Sequence, residues 1–391
     1  MELFSEKVKK FMAITGSICE YNPLHLGHRK QLDYIRSADP DGGIVCIMSG
    51  NFVQRGQPAI FHKLLRAKAA ILSGADLVLE LPVTAALSSA EGFASEGVRL
   101  LSGFCDRLCF GAESGNSDTL LHTAQALLSA DFTDKLRVEL DKGLSFPAAR
   151  QAALEAMGHS GELLTQPNNI LAVEYCKAIT AQNSPMQPMP ILRQGNYHDE
   201  LPDAQNPSAT AVRSLLERKG DWQSYVPDSA AGVFEGAAVH ALQKGEQAIL
   251  AKLRTMTDEE FESLPYGSEG LWRKLMHASR SYATLEEILT ATKSKRYTRT
   301  RLDRMVMCAF LGLAGEDLSS PAPYARVLAL NDKGREILKK ARQTGWYPNI
   351  GETLDHPYQA IETRCGALYG LFADTPEPPD AESQYRLAYL P

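Results

Sequence analysis

Two histidines stand three residues apart in His25-Leu-Gly-His28, between a short apolar run at 13–19 and a helix-like segment at 29–35. A strand–loop–helix junction of this kind brings two imidazoles and a helix N-terminus to one point. That arrangement suits attack at the α-phosphate of a nucleoside triphosphate. Negative charge grows on the bridging and equatorial oxygens in the transition state. Imidazoles and backbone N–H groups placed there in advance stabilise it more than the ground state. Gly27 lets the backbone come close, and the helix beginning beside it adds its dipole. The alternative for His25 and His28 is capping or core packing.

Other residues could act with this junction. Ser49-Gly-Asn51 ends a second apolar run, where open α/β sheets bind ligands; it suits a nucleotide, its acyl partner, or a plain turn. Arg55, Lys63 and Arg66 follow it and could grip pyrophosphate or RNA, or solvate a helix. Gly111 ends a fourth run at the same crevice, and Asn168 and Asn169 open a helix that either could cap. Arg193 ends a further strand and can pair bidentately with phosphate. Tyr197-His198-Asp199 offers a general base or a hydrogen-bond hub. In Ser208-Ala-Thr210-Ala-Val-Arg213, Thr210 and Arg213 share a helical face, and the first turn of that helix can hold phosphates.

The elements that must position these groups alternate. Strand-like runs at 13–19, 44–48, 76–81 and 106–111 recur at intervals of about 30 residues, as βαβ units do. Phe61, Leu64, Leu65, Ala69 and Leu72 predict one apolar face of a helix over 61–72. Helices are predicted over 120–129, 146–157 and 169–181, and a strand over 189–193. Another helix starts near Ser208, with Asn206 as N-cap and Pro207 at its first position, and Gly220 closes it. This pattern predicts an α/β fold, a doubly wound Rossmann-like parallel sheet covered on both faces. From about 221 helical runs dominate, at 237–252, 258–264, 271–278, 284–291, 297–313 and 333–343, with a strand at 324–330. The tail at 375–382 reads as a solvated loop. Two domains are expected, 12–220 for nucleotide binding and 221–391 mostly helical.

Composition bounds the rest. The 391 residues, 44% hydrophobic and 23% charged, describe an ordinary globular chain without a bilayer-length apolar run. The charged first ten residues do not resemble a secretory signal, so a cytoplasmic protein is expected. Seven cysteines without repeated spacing argue against a disulfide framework, and Cys105 and Cys109 lack the second pair a zinc site needs. Net charge is −6, yet 293–304 gathers Lys293, Lys295, Arg296, Arg299, Arg301 and Arg304 around Tyr297. Basic density with an aromatic suits RNA backbone and a stacked base; a solvated amphipathic helix is the alternative.

The segment Ile18-Cys-Glu-Tyr-Asn-Pro-Leu-His-Leu-Gly-His28 resembles the N-terminal signature of the HIGH-type nucleotidyltransferase superfamily. More narrowly, it resembles the bacterial tRNA(Met) cytidine acetate ligase family. Further segments carry the narrower likeness. They are Met48-Ser-Gly-Asn-Phe-Val-Gln-Arg-Gly56 continuing through Pro58 to Lys63 and Arg66, Phe110-Gly-Ala-Glu113, and Asn168-Asn-Ile-Leu171 with Tyr175. Others are Ile191 through Arg193 and Tyr197-His-Asp199 to Ser208–Arg213, and Ser294-Lys-Arg-Tyr-Thr-Arg-Thr-Arg301. The resemblance runs from about Met12 over nearly the whole chain; His62 departs from it, standing where the family has an acid.

The resemblance implies that ATP, accompanied by magnesium, and acetate form acetyl-adenylate and pyrophosphate. The exocyclic amine of the wobble cytidine of elongator tRNA(Met) then takes the acetyl group, giving 4-acetylcytidine and AMP. It implies catalytic roles for His25, His28, Thr210 and Arg213. The nucleotide cradle would be Ile18, Cys19, Glu20, Tyr21, Asn22, Pro23, Leu24, His25, Leu26, Gly27, His28, Arg29, Lys30 and Gln31, with Gly111, Asn169 and Arg193. Ser49 and Asn51, and Lys295, Arg296, Tyr297, Arg299 and Arg301, would meet the other substrates. Elongator tRNA(Met) and acetate are the expected partners, with no membrane, no DNA and no resident metal. Two rival readings are a nucleotidyltransferase acting on a small phosphorylated metabolite and a non-catalytic ATP-dependent RNA-binding protein.

Overall fold

The computed structural model describes residues 12–114, 116–192, 207–346, 357–380 and 386–391. Short runs, the central ones apolar and buried, become its strands: β1 (Ile14–Cys19), β2 (Gly43–Ser49), β3 (Phe52–Val53), β4 (Gln57–Pro58), β5 (Leu77–Leu81), β6 (Arg107–Ala112), β7 (Gln187–Leu192), β8 (Val327–Leu330) and β9 (Ala388–Tyr389). Seven of them form one sheet in the order β7-β6-β1-β2-β5-β8-β9, while β3 and β4 make a separate hairpin. The five strands from the first half are parallel, as the alternating pattern predicts. β8 lies antiparallel to β5, and β9 parallel to β8, so the sheet is mostly rather than wholly parallel. The strand expected amid the helical half therefore completes the sheet of the first half. Its Val-Leu-Ala-Leu sequence is buried throughout, and the edge of β5 gives it cover.

The helices are α1 (Leu26–Ala38), α2 (Lys63–Leu72), α3 (Val83–Ala86), α4 (Ala90–Leu101), α5 (Ser117–Leu127), α6 (Ala130–Asp141), α7 (Phe146–Ala156), α8 (Pro167–Ala181), α9 (Ala209–Glu217), α10 (Asp228–Phe234), α11 (Glu246–Thr255), α12 (Asp258–Glu262), α13 (Leu271–Ser281), α14 (Leu285–Thr292), α15 (Arg299–Leu311), α16 (Gly315–Ser319), α17 (Asp332–Gln343) and α18 (Pro357–Tyr369). α1, α2, α9 and α10 pack on one face of the sheet. α4, α5, α8 and α17 pack on the other, which gives the doubly wound arrangement. A third core joins α11 to α15 and α18, and takes Phe52, Val83 and Leu87 from the first half. Among the described residues no helix is long and apolar enough to cross a membrane.

Three expectations change. The helix predicted over 61–72 begins at Lys63, and Leu72 is exposed while Lys63 and Arg66 are buried. The helix predicted over 237–252 begins at Glu246. The backbone N–H groups of His240 and Ala241 donate instead to Ile60 and Phe372 carbonyls. Ser208 rather than Asn206 caps α9, its hydroxyl accepting from the Ala211 N–H at 3.1 Å; Asn206 lies outside the described residues. Gly220 does close that segment, donating to the Leu215 carbonyl.

Candidate active site at the carboxyl edge of the sheet

The turn from β1 into α1 is built by its own side chains. Tyr21 adopts a left-handed φ of 45°, a strained state for a non-glycine residue. Its buried ring and a 3.3 Å contact from its hydroxyl to Cys46 Sγ hold it there. His25 is the N-cap of α1, and its Nδ1 accepts from the Gly27 N–H at 3.1 Å. His28 answers three residues on, its Nδ1 accepting from the His25 N–H at 3.2 Å. This is a capping box made of two imidazoles. The rings stack with centroids 3.7 Å apart. A Cβ on Gly27 would sit 3.0 Å from the His25 ring, so the glycine permits the stack.

Capping and chemistry are therefore not alternatives here. An accepting Nδ1 fixes the neutral tautomer with its hydrogen on Nε2. Each ring then carries its hydrogen at Nε2, the kind of donor that a phosphate oxygen accepts from.

The expected cradle divides by location. Ile18 is a core residue packed against Gly97 of α4, and Cys19 ends β1 with Sγ directed to the Ile47 carbonyl. Glu20 Oε1 accepts from the Gln54 N–H at 2.7 Å, and Asn22 Oδ1 from the Ile60 N–H at 2.7 Å. Tyr21 and Leu24 are buried. Arg29 pairs with Asp33, Lys30 is exposed, and Gln31 ties α1 to Ser17 and to the Cys109 carbonyl.

Thr210 and Arg213 do share a face of α9, and they reach this turn. Arg213 donates to the Asn22 carbonyl at 2.7 Å and to Thr210 Oγ1 at 3.1 Å. The carbonyl of Pro207 lies 4.0 Å from where a Gly27 Cβ would be. At β6, a Cβ built on Gly111 meets nothing within 4 Å, which leaves open space at the strand end. Gly27 and Gly111 together fit a site that a nucleotide approaches closely. Arg193 and the 197–199 segment lie outside the described residues.

Other candidates are held elsewhere. Glu113 caps α8: its carboxylate accepts from Asn168 Nδ2 at 2.6 Å and from the Asn169 N–H at 2.7 Å. Asn169 is buried, and its Oδ1 accepts from the Ser114 N–H at 2.9 Å. Gln166, not either asparagine, holds the N-cap position. Lys63 and Arg66 neither solvate a helix nor face solvent. Lys63 Nζ pairs with Glu80 Oε1 at 2.6 Å, and Arg326 closes on Glu80 Oε2 at 2.7 Å. Arg66 donates to the carbonyls of Phe61, Glu20, Ser49 and Gly50. Apolar neighbours such as Ala67 and Ala70 were the one sign in the sequence that this face turns inward.

The basic run straddles a loop and the first turn of α15, and much of its charge is engaged. Arg296 and the Tyr297 hydroxyl meet Glu269, and Arg299 grips Glu286 through two nitrogens and Asp303 through a third. Arg301 donates to the Tyr266 carbonyl and Ser268 Oγ, and buried Arg304 to the Gln54 carbonyl. Lys293 and Lys295 are exposed. Since Gln54 also donates to Glu20, a hydrogen-bonded path joins the β1 turn, the β3–β4 hairpin and α15.

His62 takes up the N-cap of α2, its Nδ1 accepting from the Leu64 N–H at 3.3 Å. An acid at this position would cap equally well. Burial, reinforced by Lys63 and Arg66, pushes the imidazole down to about 2, so it is neutral. Among the described residues no group of three or more His, Cys, Asp or Glu could hold a metal ion.

Residues 12–383 match the family model described as HIGH Nucleotidyl Transferase. A Clostridium acetobutylicum protein named tRNA(Met) cytidine acetate ligase is 35% identical over 94% of this chain and 98% of its own length. A Clostridium novyi protein of the same name is 37% identical over 86% of this chain and 89% of its own. The crystal structure of Thermotoga maritima TmcAL without ligand superposes with a TM-score of 0.89 at 28% identity, covering 97% of this chain and all of that one. The same protein bound to alpha-thio ATP gives a TM-score of 0.85 at 27% identity, with 97% of this chain covered.

Proposed function

Because this chain belongs to the HIGH nucleotidyltransferase family, and within it to the tRNA(Met) cytidine acetate ligases, we propose that it acetylates a tRNA cytidine at the expense of ATP. Acetate attacks the α-phosphate, pyrophosphate leaves, and the exocyclic amine of the wobble cytidine of elongator tRNA(Met) takes the acetyl group from the adenylate, releasing AMP. The observation that carries this reading is the imidazole capping box. Its paired Nδ1 acceptors leave an Nε2–H donor on both His25 and His28, beside the first turn of α1. These donors and the helix N-terminus stabilise charge on the α-phosphate as the P–O bonds change. Arg213, held by Asn22 and Thr210, takes the departing pyrophosphate. Gly111 leaves room for the nucleotide, and a magnesium ion accompanying ATP would help to neutralise the charge of its phosphates. The exposed Lys293 and Lys295 and the neighbouring arginines meet the RNA backbone, with the helices from 221 onward as the RNA-binding part. The reaction belongs in the cytoplasm.

Incubation of the protein with ATP, labelled acetate and bulk tRNA tests this. Label in RNA together with AMP and pyrophosphate is expected. An adenylylated metabolite, or binding of ATP and RNA without turnover, would overturn the reading.

A further inference from the structure

At the end of β2, two buried polar groups make no hydrogen bond. Ser49 is 0% exposed and its Oγ has no partner; Asn51 is 5% exposed and its Nδ2 has none. Folded proteins keep few such groups, because an unmade buried hydrogen bond is costly. The neighbouring acceptors of this turn are occupied. Asn51 Oδ1 accepts from the Lys63 N–H at 3.0 Å, and the Asn51 carbonyl from the Ala59 N–H at 2.9 Å. The carbonyls of Ser49 and Gly50 accept from Arg66. With Oδ1 engaged, the amide orientation is set and Nδ2 can only donate. The Ser49 hydroxyl is free to donate as well, so the pair suits a ligand that only accepts.

The pair also lies beside the β1 turn. β1 and β2 are neighbours, with Cys19 opposite Met48. Arg66 Nη1 bridges the loops directly, 2.6 Å from the Glu20 carbonyl and 3.1 Å from that of Ser49. We propose that Ser49 Oγ and Asn51 Nδ2 form the subsite for the carboxylate of the acid to be activated, a short-chain carboxylate such as acetate. This rests on the ligase reading given above. Neutral donors orient a carboxylate while leaving its charge on the attacking oxygen. That oxygen forms the new bond to the α-phosphorus as the bond from phosphorus to the β-bridging oxygen breaks and pyrophosphate departs. A free cation would quench the nucleophile, and the two that contact this turn are withheld. Lys63 is paired with Glu80, and Arg66 is committed to four carbonyls. The deep burial of both donors favours a short acid.

Two variants separate this role from a structural one. Ser49→Ala removes a hydroxyl that bonds nothing, so thermal unfolding should be unchanged. Asn51→Asp keeps Oδ1 for the Lys63 N–H but replaces the donor with an acceptor that repels a carboxylate. Steady-state acetate transfer to tRNA is measured with acetate and ATP varied in turn. The KM for acetate is expected to rise about tenfold to a hundredfold in each variant, with the KM for ATP changed less than about twofold. An unchanged acetate KM, a rise confined to ATP, or a loss of turnover that no acetate concentration restores would overturn the subsite while leaving the ligase reading in place. Absence of acetate transfer by the unaltered protein would overturn both.

Discussion

His25 and His28 each use Nδ1 to build the backbone turn, and the proposed mechanism gives the Nε2–H of the same rings to the α-phosphate. His28→Ala removes one of the proposed donors and one capping bond. The expected result is at least about a hundredfold loss of acetate transfer, with only about 1 kcal/mol lost in denaturant unfolding; undiminished turnover would take the histidines out of the mechanism. His62 supplies a pH test. Its folded value of about 2 lies below the ordinary 6.5, so below 6.5 the unfolded chain binds a proton that the folded chain does not. Its contribution to stability is complete above pH 6.5 and is lost as pH falls toward 2. His62→Asn retains a capping side chain without the titration. Its melting temperature should fall less than that of the unaltered protein between about pH 7.5 and pH 5; an equal fall in both proteins excludes His62 as a source. Residue types at these positions were readable from the sequence, but partners were not. Lys63 and Arg66 looked like surface cations because Glu80 and the carbonyls of Glu20, Ser49 and Gly50 come from other segments.

At the scale of elements, the β3–β4 hairpin is the link between the β1 turn and α15. Gly56 makes that docking possible. Its φ is +75°, and a side chain there would run into the backbone of Asp303 and Arg304. Gly56→Val is expected to cost more than about 2 kcal/mol in denaturant unfolding, and a loss within about 0.5 kcal/mol would show that the hairpin does not rest on α15 as described. The sequence marked α2, α8 and α9 closely. It did not show that Glu113 occupies the N-terminus of α8, since a carboxylate arriving from 55 residues away leaves no local pattern. Nor did it show that the helix expected from 237 would yield its first turns to pairing with Ile60 and Phe372.

Over the whole molecule, both halves of the chain build the sheet. Glu80 of β5 is the fastening: it takes Lys63 from α2 and Arg326 from the segment leading into β8, and its N–H donates to the Arg326 carbonyl at 2.7 Å. Glu80→Gln removes the carboxylate that both cations meet. A loss of about 3–5 kcal/mol is expected by denaturant unfolding, and Lys63→Met in the same background should recover part of it. No loss in the single variant would mean that the ion pairs do not fasten β8 to the sheet.

The amino-acid sequence by itself determined the strand–helix alternation, the parallel sheet of the first half and the placing of His25-Leu-Gly-His28 at a strand-to-helix turn. These follow from local periodicity and turn chemistry, which a linear chain carries in full. The tertiary structure alone decided that β8 and β9 complete the sheet, that Lys63 and Arg66 are buried while most of the basic run is paired, and that Ser49 and Asn51 keep donors without partners. Each of these depends on groups brought together from distant segments, and no local pattern encodes a partner.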